Sequence, residues 1–351
     1  MKVAVIGYSQ SGRTTLYQAA ARGQAKGEVT AVPVPDPRFD RIVAQVQPKK
    51  VVPATVVFQD DLEPIAGTGR AFSPKFLEQV RKAEVILHVV RAFESNMSPY
   101  HAEVDPARDA EAIEMEMILT DLQMVETRLE KLKKSQTVKQ PGSPDYQEQA
   151  LFTRIQPLLE EGSALRGLEF DEEEQKIIRN YQMLSAKPCV VAFNVGDDAA
   201  AAAPAPIQKL IDASTAKGIP AFSVCATVEK EISELDEADQ PEFLADMGLT
   251  EPASHRMIRA VYEACGLITF FTAGENITQA WPLRKGSSAL KAAATIHNEI
   301  AKGFIRAEVV HYADYDAAGS LDAAYKGNKM VLQGKEYVIE DGDLLNIRNK
   351  S

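Results

Sequence analysis

Apolar, largely β-branched residues open the chain: Val3 to Ile6 is a short strand-like run bounded by Gly7, and helical spacing follows from about Gly12 to Ala21. Thr55-Val56-Val57-Phe58 and Val85 to Val90 repeat the strand signature, with a helical pattern from Pro74 to Lys82 between them. Strands alternating with helices predict an α/β fold, a parallel sheet covered on both faces. The pattern then changes. Ile118, Leu122, Val125, Leu129 and Leu132 recur at alternating spacings of four and three, the apolar stripe of one long helix. The polar stretch from Lys133 to Gln147 holds Pro141-Gly142 and Pro144 and is expected as a tip. Beyond it Leu151, Ile155 and Leu158 restart the stripe, and Leu165 and Leu168 continue it. Two such helices make an antiparallel hairpin.

The α/β pattern resumes with a strand over Cys189 to Phe193, a helix over Pro206 to Lys217 and a strand over Ala221 to Val224. The hairpin is therefore inserted within the first domain. From Ile268 a different unit begins. Thr269 to Thr272 and Thr278 to Trp281 read as paired strands around Ala273-Gly274. A helix is expected from Ser287 to Lys302 with Ser287 or Ser288 as its cap, then strands at Arg306 to His311, Lys335 to Ile339 and Leu344 to Arg348. Strands wrapped on one helix predict a small β-grasp domain. The expected division is an α/β domain over 1–108 and 187–267, a helical hairpin over 109–186 and a β-grasp unit over 268–351.

Composition changes little in this picture. A chain of 351 residues suits two or three domains, and 45% hydrophobic with 25% charged residues is ordinary globular composition. Three widely spaced cysteines, Cys189, Cys225 and Cys265, read as thiols of a reducing compartment, not as a disulfide framework. No signal-like or membrane-spanning run is present, so a cytoplasmic protein with no membrane partner is expected. A net charge of −11 argues against a broadly basic nucleic-acid-binding surface. From Ile268 onward, however, ten Lys/Arg balance ten Asp/Glu, and the acidic excess lies upstream. The neutral C-terminal unit remains free to meet RNA or a partner locally.

Candidate chemistry concentrates in Gly7-Tyr8-Ser9-Gln10-Ser11-Gly12-Arg13-Thr14, which fits G-x-x-x-x-G-K-[ST] at every position except the lysine. A tight strand-to-helix turn would use the same glycines, but so would a nest of backbone N–H groups for phosphate at a helix N-terminus. Ser9, Gln10, Ser11, Gly12, Arg13, Thr14 and Thr15 are the candidate phosphate-binding residues, and the Thr14 hydroxyl is suited to Mg²⁺. Arg13 keeps the lysine's charge but carries a planar fork, so the exchange is not conservative.

Further segments give the chain a family. Val34-Pro35-Asp36-Pro37-Arg38, Pro48, the strand ending at Asp60, Lys75-Phe76-Leu77, His88 to Glu94 and Asp105-Pro106 together resemble the YchF branch of Obg-like ATPases. So do Lys302 to Glu308 and Asp341-Gly342-Asp343, and the resemblance runs the length of the chain in one order. It implies a P-loop G domain, an inserted coiled-coil arm and a C-terminal TGS domain. It also implies binding and slow hydrolysis of ATP, often in preference to GTP, and association with ribosomes. By the same resemblance Asp60 holds Mg²⁺ through water, while Asn194, Val195 and Asp197 read the base beside the backbone of Cys225 and Ala226. The family's acid at that place is glutamate; Asp197 is the GTPase-like choice, so ATP and GTP both stay open.

Three departures fall on the hydrolytic parts. Arg13 replaces lysine, and Glu63 stands where the family has a glycine whose amide meets the γ-phosphate. The switch segment before Val34 is about ten residues short, leaving Thr30 as the candidate metal-sensing threonine. The expectation is a purine-nucleotide-binding protein with weak or lost hydrolysis, its arm and TGS-like domain presented to the ribosome or RNA. The rival is an interaction scaffold that does not bind nucleotide. His88 in an apolar strand and Trp281 are read as packing residues, His297 as part of the TGS-like helix, and the acidic run from Asp171 to Glu174 as a helix start.

Overall fold

The computed structural model describes residues 1–21, 29–67, 72–236 and 238–350. The chain forms two units, Met1–Thr30 with Val57–Met257, and Ala31–Val56 with Ile258–Ser351. In the first unit the strand Lys2–Ile6 lies between Thr55–Gln59 and Val85–Ala92, and Cys189–Val195 and Ala221–Val224 continue the order, every pairing parallel. Helices cover the sheet, so its central strands are buried and mostly apolar, and His88 is carried inside with them.

Helix starts follow local chemistry. Ser73 and Asp105 accept from the Phe76 and Arg108 amides, each followed by proline at the first helical position, where no N–H is needed. Asp171 and Glu174 form a reciprocal capping box on Glu172–Tyr181, in keeping with the acidic run.

The long helix Pro106–Leu132 returns through Pro144–Glu160, and Ile118, Val125, Leu129, Leu151, Phe152, Ile155 and Leu159 make their shared core. Three details differ from the pattern. The tip is shorter than Lys133 to Gln147, because Ser143 caps a helix whose first residue is Pro144. Leu159, four residues after Ile155, takes the buried seam position expected of Leu158. The helix ends at Glu160, Gly162 turns the chain with φ 78, and Leu165 and Leu168 reach the same core from irregular backbone. The buried Asp121 then ties the hairpin to the strand that follows, accepting from the Leu184 amide at 2.9 Å, the Ser185 amide at 2.7 Å and the Ser185 hydroxyl at 2.7 Å.

In the second unit Phe304–Val310 runs antiparallel to both Val331–Gln333 and Leu344–Asn349. Leu344–Asn349 is parallel to Leu267–Thr272, which forms the expected hairpin with Thr278–Arg284. Ala289, Ala292 and Ala293 present the small face of the helix Ala289–Ile296 to Ile268, Phe270, Phe304, Ala307 and Leu345. This is the β-grasp arrangement. The expected continuous helix to Lys302 is broken at His297, whose extended backbone lets its ring accept from the Glu299 amide and cap a second short helix, Asn298–Lys302. Residues 335–339 are not a ladder strand. Their Lys335 and Tyr337 carbonyls accept from the Leu290 and Ala289 amides, closing the helix N-terminus instead. Two helices absent from the reading, Tyr312–Ala318 and Leu321–Lys326, precede the Val331–Gln333 strand.

The segment Asp36-Pro37-Arg38 belongs to this unit. Arg38 donates to Asp36 and, at 2.8 Å, to Asp341, whose other oxygen accepts from the Thr269 amide.

Candidate phosphate loop and its surroundings

Gly7 ends the first strand where a Cβ would lie 2.4 Å from the Val89 carbonyl, and Gly12 adopts φ 90 with its Cβ position 2.1 Å from Asn194 Nδ2. Both positions are closed to side chains. Between them Gln10 is left-handed at φ 65, a conformation uncommon outside glycine. Buried Arg91 supports that bend: Nη1 donates to the Gln10 carbonyl at 3.1 Å while the guanidinium lies 4.3 Å from the Phe93 ring centroid and 4.9 Å from that of Tyr100. Arg91 has no part in the glycine motif; in the sequence it is marked by its charge within an apolar strand and by its place in the His88 to Glu94 segment.

The helix Arg13–Ala20 begins on Gly12 with no side-chain cap, so its first amides keep their donor capacity. The Ser9 amide is different, because it donates to the Ile65 carbonyl at 3.0 Å. Four polar atoms around the loop are buried without a hydrogen-bond partner: Ser11 Oγ, Arg13 Nη1, Asp60 Oδ1 and Asp61 Oδ1. Arg13 Nε stands 2.8 Å from Asp60 Oδ1 as an ion pair and not as an aligned hydrogen bond. The Thr14 hydroxyl also acts on this carboxylate, favouring its charged form. Burial raises the Asp60 pKa above the usual carboxylate value, the two neighbours opposing that shift.

Thr14 and Asp60, expected to hold Mg²⁺, are thus neighbours, but a guanidinium lies on the carboxylate. Among the described residues no group of three or more His, Cys, Asp or Glu forms a metal cluster.

Glu63 turns away from the loop. Its carboxylate accepts from the Ser73 hydroxyl at the N-terminus of Pro74–Arg81, and its amide donates to Gln79 Oε1 at 3.2 Å. Gln79 Nε2 donates in turn to the Asp61 carbonyl at 2.8 Å, so one side chain pins residues 61–63. Thr30 shares a hydrogen bond of 2.9 Å with the Tyr17 hydroxyl. Residues 22–28 of the short switch segment lie outside the described residues.

The base-side residues meet the loop directly. Asn194 Nδ2 donates to the Ser11 carbonyl and its Oδ1 accepts from the Ala226 amide, each at 2.9 Å. Val195 is buried at the end of the strand. Exposed Asp197 accepts from the Thr227 hydroxyl at 2.7 Å and the Cys225 thiol at 3.1 Å, and these two donors hold its carboxyl below the usual range. Thr227 was not singled out by the motifs. A separate cleft of about 530 Å³ is bordered by His88, Glu114, Arg166, Cys189, Phe193 and Lys217 and includes no residue of the phosphate loop.

Residues 267–350 match the family model YchF-GTPase_C, described as a protein of unknown function (DUF933). The chain is 34% identical over 359 residues to the ribosome-binding ATPase YchF of Bacillus subtilis, spanning 98% of both proteins. It is 34% identical over 360 residues to the protein of the same name from Haemophilus influenzae, covering 99% of this chain and 98% of that one. A solved structure, that of the Schizosaccharomyces pombe YchF GTPase, superposes with a TM-score of 0.87 at 28% identity, covering 99% of this chain and 97% of that one. No helix among the described residues is long and apolar enough to cross a membrane.

Proposed function

The chain belongs to the YchF family, and on that premise we propose that it binds a purine nucleotide on the loop from Ser9 to Thr15 and hydrolyses it slowly. The observation that carries this reading is the pair of buried donors without a hydrogen-bond partner, Ser11 Oγ and Arg13 Nη1, at an uncapped helix start. Buried polar atoms are ordinarily paired, and phosphate oxygens are the acceptors that Ser11 and Arg13 lack. Asn194 fixes the distance between the phosphate loop and the base-side loop through its two hydrogen bonds. Asp197, held ionised and therefore acceptor-only, suits the N1–H and 2-amino group of guanine, whereas ATP is the nucleotide in the relatives' name.

The same geometry supports slow turnover. The Glu63 amide is engaged by Gln79 and Thr30 by Tyr17, so two groups expected to act at the γ-phosphate end have other partners. Preorganised donors carry much of phosphoryl-transfer catalysis, and loss of one costs on the order of 10²–10³ in rate. The test is calorimetric titration with ATP, GTP and their diphosphates, paired with steady-state phosphate release. Binding without turnover comparable to an intact relative is expected, and Asp197→Ala weakens GTP more than ATP. No heat with any nucleotide would leave an interaction scaffold as the reading; full turnover would remove the impaired site.

A further inference from the structure

We propose that Arg13 takes the place of the metal ion, so that the nucleotide is bound as the metal-free polyphosphate. The inference rests on the nucleotide-binding reading above and concerns which cation accompanies the ligand. Mg²⁺ at a hydroxyl and a carboxylate bridges protein oxygen to phosphate oxygen, neutralising charge on both sides. The Arg13 side chain is placed to make that same bridge. Its Nε stands 2.8 Å from Asp60 Oδ1, and its Nη1, on the same planar fork, is buried with no hydrogen-bond partner; the residue itself opens the uncapped helix. One arm is spent on the carboxylate and another remains for a phosphate oxygen, which is the bidentate use for which a guanidinium, and not an ammonium, is shaped.

The same pair excludes the ion. The two side chains are about nine-tenths buried, at 12% and 9% exposure, so water screens their attraction poorly. A dication at Thr14 and Asp60 would sit against a fixed positive charge and would have to displace the guanidinium from the carboxylate. Asp61, with its own buried unpartnered oxygen, adds a second carboxylate, but Gln79 holds the 61–63 turn through the Asp61 carbonyl and not through that side chain. A positive charge on the protein itself, fixed at the loop, removes the need for one delivered with the nucleotide.

The experiment is calorimetric titration of the full-length protein with ATP and with GTP, once in Mg²⁺ and once in EDTA. Wild-type affinity is expected to agree within about twofold between the two buffers, whereas Arg13→Lys regains dependence and binds at least about tenfold tighter with Mg²⁺. Asp60→Asn weakens wild-type binding equally in both buffers, because its partner is Arg13; a metal ligand would matter only in Mg²⁺. Wild-type binding that needs Mg²⁺ overturns the inference while leaving the nucleotide site standing. Absence of binding in both buffers, by protein that melts cooperatively, overturns the site and the inference together.

Discussion

Glu63 places a carboxylate in the turn where phosphate is expected, and the fold disposes of the charge locally. The Ser73 hydroxyl donates to it at the start of a helix, where negative charge is favoured. The repulsion implied by the residue type is therefore absent, and the backbone amide of the same residue is held by Gln79. The motif residues of this site were readable one by one, because glycine spacing and strand ends are local. Gln79, Arg91 and Thr227 were not, since each acts across the fold on backbone or a side chain brought near only by the sheet. His88 gives a residue-scale prediction. Burial pushes its pKa down to about 3, with Arg166 adding to the shift and Cys189 and Glu114 bordering the same cleft. The unfolded chain binds a proton near pH 6.5 that the folded chain refuses, so this group's contribution is whole above that pH and falls as pH drops toward 3. From pH 7 to pH 5 the wild type should lose about 2 kcal/mol more than His88→Leu in urea unfolding. Equal losses would show that His88 is not the group that titrates.

Among the elements, the helical hairpin shows where periodicity is informative and where it ends. Alternation of four and three marked Ile118 to Leu132 because one straight helix carries the whole stripe. The same spacing carried through Leu165 and Leu168 describes burial correctly and backbone wrongly, since a core accepts leucines from a loop as readily as from a helix. Residues 335–339 repeat the lesson in the β-grasp unit, where strand-like residues give their carbonyls to a helix end. What the stripe could not contain is Asp121, a charged residue on the buried face that caps two amides of the returning chain. Asp121→Ala leaves those amides and the Ser185 hydroxyl unpaired and is expected to cost about 3 kcal/mol, with Asp121→Asn intermediate because it keeps one acceptor. Thermal or urea unfolding of the three proteins reads this directly. An alanine variant as stable as the wild type would mean that water already serves those groups.

At the scale of the whole molecule, charge is unevenly divided along the sequence: the C-terminal 84 residues are neutral and the acidic excess lies before them. Arg284, Lys285, Lys291 and Arg306 are exposed and carry no ion pair among the described residues, whereas Lys302 is held by Glu299. With relatives named for ribosome binding, the expected outcome is co-sedimentation with ribosomes that weakens steeply with salt and is reduced in Arg284→Glu/Lys285→Glu. Equal pelleting of wild type and variant at every salt concentration would take these residues out of the interface. The division of the chain itself has a consequence in time. Ala31–Val56 belongs with Ile258–Ser351, so it leaves the ribosome long before its partners exist. At roughly 5–20 residues per second, synthesis of the intervening stretch takes on the order of 10–40 s. During that interval Arg38 has Asp36 but not Asp341, and Phe39 lacks the Phe271 ring on which it finally stacks. The nascent chain thus carries an early segment whose folding is set by the clock of translation, and slowing elongation after residue 56 lengthens its exposure to proteases and chaperones.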